Sequence, residues 1–330
     1  MKIIDNRGCN DPTVNLALEE YCVRKLDMSD DYLLFYINEP SIIIGKHQNT
    51  IEEINSEYVK DNDIRVVRRI SGGGTVYHDK GNLNFSFMTK YSHQSIHNFK
   101  LFTDPVIKVL AELGVNAELN GRNDITVDGR KISGNAQFTD TKSMFSHGTL
   151  LFDSHLDDVA KALNVKADKI ESKGIKSVRS RVANITEFLR DSMTIDEFKG
   201  RIIGSIFRGA GKSDHFELSN EQWDEVMKLS DSKYRNWEWN YGRSPEFNIQ
   251  KVRRFDFGQI DARIHVRDGI IADAKIYGDF LGHGDIEEVE NSLRGKKYNF
   301  SELKNAVFGL DLQYFFGNIS SDEFCSFLSE

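Results

Sequence analysis

The stretch IRVVRRISGGGTVYHDKGNLNFSFMT occupies residues 64–89 and decides how the chain is built. Ile64–Arg69 is rich in β-branched residues and reads as a strand, and Asn82–Thr89 alternates like a further one. Between them, Ser71-Gly72-Gly73-Gly74 removes Cβ atoms just where the first strand ends, so backbone N–H groups can approach a ligand closely. Such concavities bind anions, and Arg68 and Arg69 add positive charge with bidentate geometry. The same residues would also suit a tight turn with surface arginines, and the segment alone leaves both readings open. It does exclude a dinucleotide fingerprint. Tyr77 sits where a third glycine is needed, and Val76–Asp79 continues as loop or strand where a helix should begin.

Working outward, residues 11–25 read as a helix capped by Asp11, with Pro12 at the first helical position. Tyr32–Ile37 and Ser41–Gly45 look like strands around the turn Asn38-Glu39-Pro40. A helix from about Asn98 to Leu113 should end at Gly114. Asp128-Gly129 marks a hairpin between Asp124–Val127 and Arg130–Ser133, and Gln137–Asp140 should pair with Ser143–Phe152 in another. Helices return at roughly 155–163, 195–208 and 220–230. Gly209-Ala210-Gly211-Lys212-Ser213 resembles the end of a P-loop, but Ile206 replaces the first glycine. The preceding stretch is helical, with Thr194 and Glu197 as a capping box, so these glycines read as a helix C-terminus. Asn236–Pro245 lacks periodicity and marks a boundary, giving domains 1–243 and 244–330. In the second, Asn248–Phe257, Ala262–Val266 and Ile270–Tyr277 read as a three-stranded meander followed by short helices. Hairpins mixed with helices, without repeated βαβ units, indicate an α+β fold.

Composition narrows the function. The 330 residues are 39% hydrophobic and 28% charged, as in ordinary globular proteins, and no apolar run approaches the ~20 residues of a membrane span. The N-terminus has neither signal-peptide nor transit-peptide character, so a cytoplasmic address is expected. A formal net charge of −8 with no aromatic-interleaved basic patch argues against nucleic acid as partner. The three cysteines, Cys9, Cys22 and Cys325, are too scattered for a disulfide framework or a zinc site.

Further constellations carry chemistry. In Gly121–Gln137 a hairpin would set Lys131 beside the strand bearing Asn123 and Asp124. A lysine near one carboxylate suits a metal–phosphate site, with Asp holding Mg²⁺; a solvated hairpin tip would look similar. His147, in Ser146–Leu150, more often has a structural role on such a strand. Lys173–Val182 is a basic loop of the functional or disordered kind. His93 and His97 lack the glutamate of a zinc-protease helix and read as surface residues.

Together and in this order, RRISGGGTVYHDKGNLNFSF, GRNDITVDGRKISGNAQ, HGTLL and KGIKSVRSRVANI resemble segments of the lipoate–protein ligase family. The similarity continues through NIQKVRRFDFGQIDARIHVRDG into that family's C-terminal accessory domain and covers essentially the whole chain. The resemblance implies a biotin/lipoate-ligase (class II synthetase-like) catalytic domain with a small α+β accessory domain. It implies ATP and Mg²⁺ as co-substrates without a tightly bound prosthetic group, and two half-reactions: lipoic acid is adenylated, then the lipoyl group passes to a carrier lysine. Carriers would be lipoyl domains of 2-oxoacid dehydrogenase complexes or the glycine-cleavage carrier protein; sequence does not choose between them, nor between lipoate and octanoate.

Residue by residue, the resemblance carries nucleotide binding to Arg69, Gly74, Thr75, Val76, Tyr77 and Asn82, the last reading adenine. Lys131 would contact both lipoate carboxyl and phosphate, and Asp124 would hold Mg²⁺. Lys173, Ser177, Val178, Arg179 and Ser180 belong to the matching adenylate-binding loop. Gly73, Gly74, Val76, His78, His147 and Gly45 would help form the lipoate slot. The accessory part would support adenylation and move aside on the Asn236–Pro245 linker. A biotin ligase is disfavoured because its Arg-rich glycine loop is replaced here by SGGGTV.

Acyltransferases of the same fold that work through an acyl-enzyme need a cysteine nucleophile. No cysteine lies near the matched segments, so replacing all three by Ser should leave ATP-dependent ligation largely unchanged, apart from any loss of stability. A single cysteine change that kills transfer in a stably folded variant would favour the transferase instead.

Overall fold

The computed structural model describes residues 1–163, 180–208, 214–242 and 247–329. Its strands are β1 (Lys2–Ile4), β2 (Tyr32–Tyr36), β3 (Ser41–Ile44), β4 (Arg65–Arg68), β5 (Val76–His78) and β6 (Asn82–Lys90). There follow β7 (Glu118–Asn120), β8 (Asp124–Val127), β9 (Arg130–Thr139), β10 (Ser143–Leu151) and β11 (Asp214–Phe216). The last three are β12 (Ile249–Phe255), β13 (Gly258–Arg267) and β14 (Ile270–Gly278).

A mixed eight-stranded sheet runs β11-β1-β2-β6-β10-β9-β8-β7, and a small sheet β4-β3-β5 lies apart from it. Side chains of β2 sort by period two: Leu33 and Phe35 enter one core with Phe102, Val106 and Leu110, whereas Tyr32, Leu34 and Tyr36 enter another. This second core joins the two sheets, because the helix Pro12–Lys25 brings Leu16, Leu18 and Cys22 against Ile43 and Val67 as well as Phe145. Asp11 caps that helix by accepting from Thr13 N, with Pro12 at the first helical position.

Tyr32–Ile37 and Ser41–Gly45 contain the expected strands, and the two lie in different sheets. β2 pairs with β1 and β6, and β3 with β4 and β5. Both runs are apolar at nearly every position, which suits strands buried on both faces more than an alternating hairpin. Asn38 carries the chain between sheets, wholly buried and bonded to Asn15 (2.9 Å) and His78 (2.9 Å). One expectation is corrected: Arg130–Ser133 and Gln137–Asp140 are not separate strands, because β9 runs unbroken from Arg130 to Thr139 and pairs with both β8 and β10. The Asp128-Gly129 turn has the expected positive φ at both positions, 50° and 73°.

β12-β13-β14 form the antiparallel meander, backed by the helices Ile286–Leu293, Phe300–Ala306, Leu312–Phe315 and Ser321–Ser329 around a separate core. This unit touches the rest through backbone: Gly73 N donates to Phe280 O (3.1 Å) and Gly278 N to His47 O (2.8 Å). Glu52 and Arg263 pair at 2.5 Å. Among the described residues no helix is long and apolar enough to cross a membrane.

Asn236–Asn240 is more structured than expected of a linker. It forms the short helix Trp237–Asn240, and Arg68 locks it in place; residues 243–246 lie outside the described residues, as do the glycines at 209–213. The Arg68 guanidinium, 1% exposed, donates to the carbonyls of Trp239 (2.9 Å), Asn240 (3.1 Å), Gly45 (3.0 Å) and Gln48 (2.6 Å) and to Thr50 Oγ1 (2.6 Å). Arg68 is therefore a structural tie between the Gly45–Thr50 segment and this helix. Arg68→Ala would strand several buried carbonyls, each costing about 1–3 kcal/mol. Stability should fall by roughly 3 kcal/mol or more, read as a lower urea midpoint; a loss within about 0.5 kcal/mol, as at an ordinary surface site, would refute the assignment.

Candidate functional site

A cavity opens where β4-β3-β5, the glycine loop and β9–β10 converge. Its half-buried rim carries Thr75, Asn123, Lys131, Gly134 and Thr149, and its buried end carries Leu16, Tyr36, Ile43, Ala136 and His147. At depth Arg69, His78, Asn84, Asn135 and His147 are buried beside Leu16, Ile43 and Ala136, so a ligand with both polar and apolar parts finds contacts of each kind.

The glycine loop forms one wall and is held from beneath by Arg69. That guanidinium, 5% exposed, donates to the carbonyls of Ile43 (3.1 Å), Gly72 (2.7 Å) and Gly74 (2.8 Å), and to Ser71 Oγ (3.0 Å). Burial pulls its pKa down to about 10, with Tyr36 and Glu19 opposing the fall, so it stays charged at neutral pH. Gly73 takes φ +90°, and a Cβ there would crowd Arg69 Nη2 and Leu281 Cδ2 at 3.1 and 3.2 Å. Gly45 supports the loop from behind and does not line the cavity: a Cβ on it would fall 1.9 Å from Gly73 O.

On the opposite wall, Lys131 Nζ pairs with Asp124 Oδ1 at 2.8 Å, both side chains about one-third exposed. The lysine lies across Gly134, where an added Cβ would stand 2.8 Å from Nζ. The Lys131 backbone receives residues 181–183: its N–H donates to Arg181 O (2.7 Å) and its carbonyl accepts from Ala183 N (3.0 Å). The C-terminal end of the expected basic loop is thus clipped beside Lys131. Ser180 is exposed and not part of the cavity lining; Lys173, Ser177, Val178 and Arg179 lie outside the described residues.

Of the other expected residues, Gly73, Gly74, Thr75, Val76, His78 and His147 line the cavity together with Arg69 and Lys131. The Tyr77 side chain faces away, into a cluster with Ile42 and Ile44. Asn82 is buried one step behind the lining, donating to Asn84 Oδ1 (3.0 Å), and it is Asn84 that reaches the cavity. His78 accepts from Asn38 Nδ2 at Nδ1 (2.9 Å), which puts its proton on Nε2; burial, with Arg69 and His147 nearby, pulls its pKa to about 3 and keeps it neutral. Among the described residues no three His, Cys, Asp or Glu side chains gather as a metal cluster.

Sequence reasoning missed Asn84, Asn135 and Glu19. Asn135 and Asn123 bond reciprocally, and Gly148 leaves room for the Asn135 amide, since a Cβ there would fall 2.2 Å from Oδ1. Glu19, 1% exposed, meets His147 Nδ1 at 3.0 Å. Its helix, Pro12–Lys25, is buried from Pro12 to Val23 without a break and presents no separate apolar stripe, so periodicity could not single it out.

The chain matches the lipoyl protein ligase A/B catalytic domain over residues 11–207 and the bacterial lipoate protein ligase C-terminus over residues 244–328. It is 57% identical to the lipoate-protein ligase LplJ of Bacillus subtilis, over 98% of each chain. A bi-partite lipoate protein ligase from Thermoplasma acidophilum, described with its E2 lipoyl domain, superposes with TM-score 0.66 at 30% identity, over 75% of this chain and 98% of that one. A lipoate-protein ligase A bound with ATP superposes with TM-score 0.62 at 31% identity, over 70% and 94%.

Gly73→Val tests the glycine wall. A β-branched residue at φ +90° is strained and pushes on Arg69 and Leu281. ATP or lipoate binding by calorimetry should weaken markedly while the far-UV spectrum stays native; unaltered affinities would show that the loop is only a turn.

Proposed function

The chain belongs to the lipoate–protein ligase family, and on that premise we propose that the cavity between the glycine loop and Lys131 is where lipoate and ATP react. The enzyme is an ATP-dependent lipoate–protein ligase. The lipoate carboxylate attacks the α-phosphorus of ATP, expelling pyrophosphate and leaving lipoyl-adenylate. A carrier lysine amine then attacks the acyl carbon and expels AMP. The observation that carries the siting is the convergence of the glycine loop, Lys131 and the apolar side chains of Leu16, Ile43 and Ala136 on one cavity.

Lys131 serves both anions. One ammonium between carboxylate and phosphate lowers their repulsion as the oxygens meet and stabilises the charge that builds on the α-phosphate. Asp124 holds Lys131 across Gly134 in the free enzyme. Among the described residues no acidic cluster joins Asp124, and a single carboxylate fits a Mg²⁺ ion held mainly by phosphate oxygens and water. Asp124 would be its protein ligand, and the ion would neutralise phosphate charge. Leu16, Tyr36, Ile43, Val76 and Ala136 take the acyl tail, and the glycine wall lets backbone approach the nucleotide.

Residues 1–243 form the catalytic unit in this reading and 244–330 the accessory unit, acting at a cytoplasmic address. The carrier is a lipoyl domain, as in the archaeal relative's system. An acyl-enzyme route is disfavoured: no cysteine lines the cavity, and burial raises the thiol pKa of Cys9, Cys22 and Cys325 alike.

Lys131→Ala should abolish adenylate formation without unfolding the protein, because the side chain is one-third exposed and packs no core. Removing such a contact costs about 2.7–4 kcal/mol in the barrier, roughly a hundred- to thousandfold in rate. Lipoate- and ATP-dependent AMP production, with a lipoyl domain as acceptor, reads the loss. Near-normal turnover by folded variant would sink the proposal.

A further inference from the structure

A line of buried polar groups runs from the acyl end of the cavity to the glycine wall. Glu19 meets His147 Nδ1 at 3.0 Å, His147 Nε2 meets Ser71 Oγ at 2.8 Å, and Ser71 Oγ accepts from Arg69 Nε at 3.0 Å. Their exposures are 1%, 8%, 1% and 5%. Arg69 Nε–H donates to Ser71 Oγ, and His147 bridges Ser71 Oγ and the Glu19 carboxylate through its two ring nitrogens.

Serine, histidine and carboxylate in this order would be a nucleophile, base and orienter in an open site. Here Ser71 is sealed and absent from the cavity lining, and its oxygen is already engaged by Arg69. The line therefore ends on a guanidinium and not on a substrate. That guanidinium also holds the Gly72 and Gly74 carbonyls. An acyl tail needs only apolar surface at the cavity end, and burying four polar groups there is costly unless each is bonded and useful.

We infer that Glu19, His147 and Ser71 are positioning residues for the adenylation step, acting through Arg69 to fix the shape of the glycine wall. His147 itself lines the cavity, so the group that touches the acyl tail is coupled to the group that sets the nucleotide wall. The inference rests on the siting of adenylation at this cavity.

The test uses full-length Ser71→Ala, Glu19→Gln and the double variant. Proton–nitrogen NMR of Arg69 Nε–H and the His147 ring nitrogens needs no turnover. Glu19→Gln should shift the Arg69 resonance, three hydrogen bonds away, and most of that shift should vanish in the Ser71→Ala background, since a direct field effect of Glu19 would survive there. Pyrophosphate release from lipoate and ATP should show kcat down about ten- to a hundredfold for Ser71→Ala, the loss expected for one hydrogen bond to a charged group, with KM for ATP changed less. The double variant should be no worse than the poorer single one, as for members of one line. If Ser71→Ala does not fold, Ser71→Cys keeps the volume and replaces the hydroxyl with a weaker acceptor, and should show the same direction. An unmoved Arg69 resonance, a shift that survives in the Ser71→Ala background, multiplying effects in the double variant or a normal kcat would overturn the inference. Absence of adenylate formation by the wild type would instead overturn the siting, leaving the resonance result to stand by itself.

Discussion

The Arg69 guanidinium donates to the carbonyls of Gly72 and Gly74 from inside the protein, and the rest of the cavity depends on that contact. Glycines free a backbone to adopt unusual conformations but do not by themselves choose one. A buried cation bonded to two carbonyls of the loop and to Ile43 O supplies the choice. Its neighbour Arg68 does related work on the other side of β4, tying the Gly45–Thr50 segment to the Trp237–Asn240 helix. Successive residues of a strand point to opposite faces, so one dipeptide braces the loop and its support at once.

That bracing explains why glycines recur where the backbone is crowded. Gly45 and Gly73 approach too closely for a Cβ, Gly134 lets Lys131 lie flat, and Gly148 makes room for the Asn135 amide. Each keeps a polar group in place without filling the cavity. The wall can then be rigid and thin, which is what close approach to a polyanion requires.

Much of this was legible in the sequence, for identifiable reasons. The Asp11–Pro12 helix start and the Asp128-Gly129 turn carry local chemistry that tertiary contacts do not override, and both appear as expected. By residue type alone the glycine loop, Lys131 and His147 fitted a plain turn, a hairpin tip and a structural histidine equally well, and it was the family resemblance that placed them together; the cavity they line brings them to one place. Asn38-Glu39-Pro40 marked the break between β2 and β3, but a turn signal does not say whether the chain pairs back or passes to another sheet, and here it passes. β1, β5 and β11 span three residues each, too few to show a period. Glu19 was hidden for a different reason. Its helix presents no separate apolar stripe to mark a buried carboxylate, and its partner His147 lies 128 residues away.

The β-meander unit closes the remaining side of the loop. Phe280 O accepts from Gly73 N, and a Cβ on Gly72 would stand 2.4 Å from that same oxygen. The loop is thus gripped by a cation beneath and a carbonyl above, and the two grips differ in kind. Arg69 belongs to the same sheet region as the loop and stays with it in any rigid-body movement. Phe280 belongs to the other unit, so its bond to Gly73 lasts only while the two units stay together. The two grips on one short loop thus come from two different cores, a buried cation of the loop's own sheet region and a main-chain carbonyl of the β-meander unit, and the glycines between them are what let both reach it.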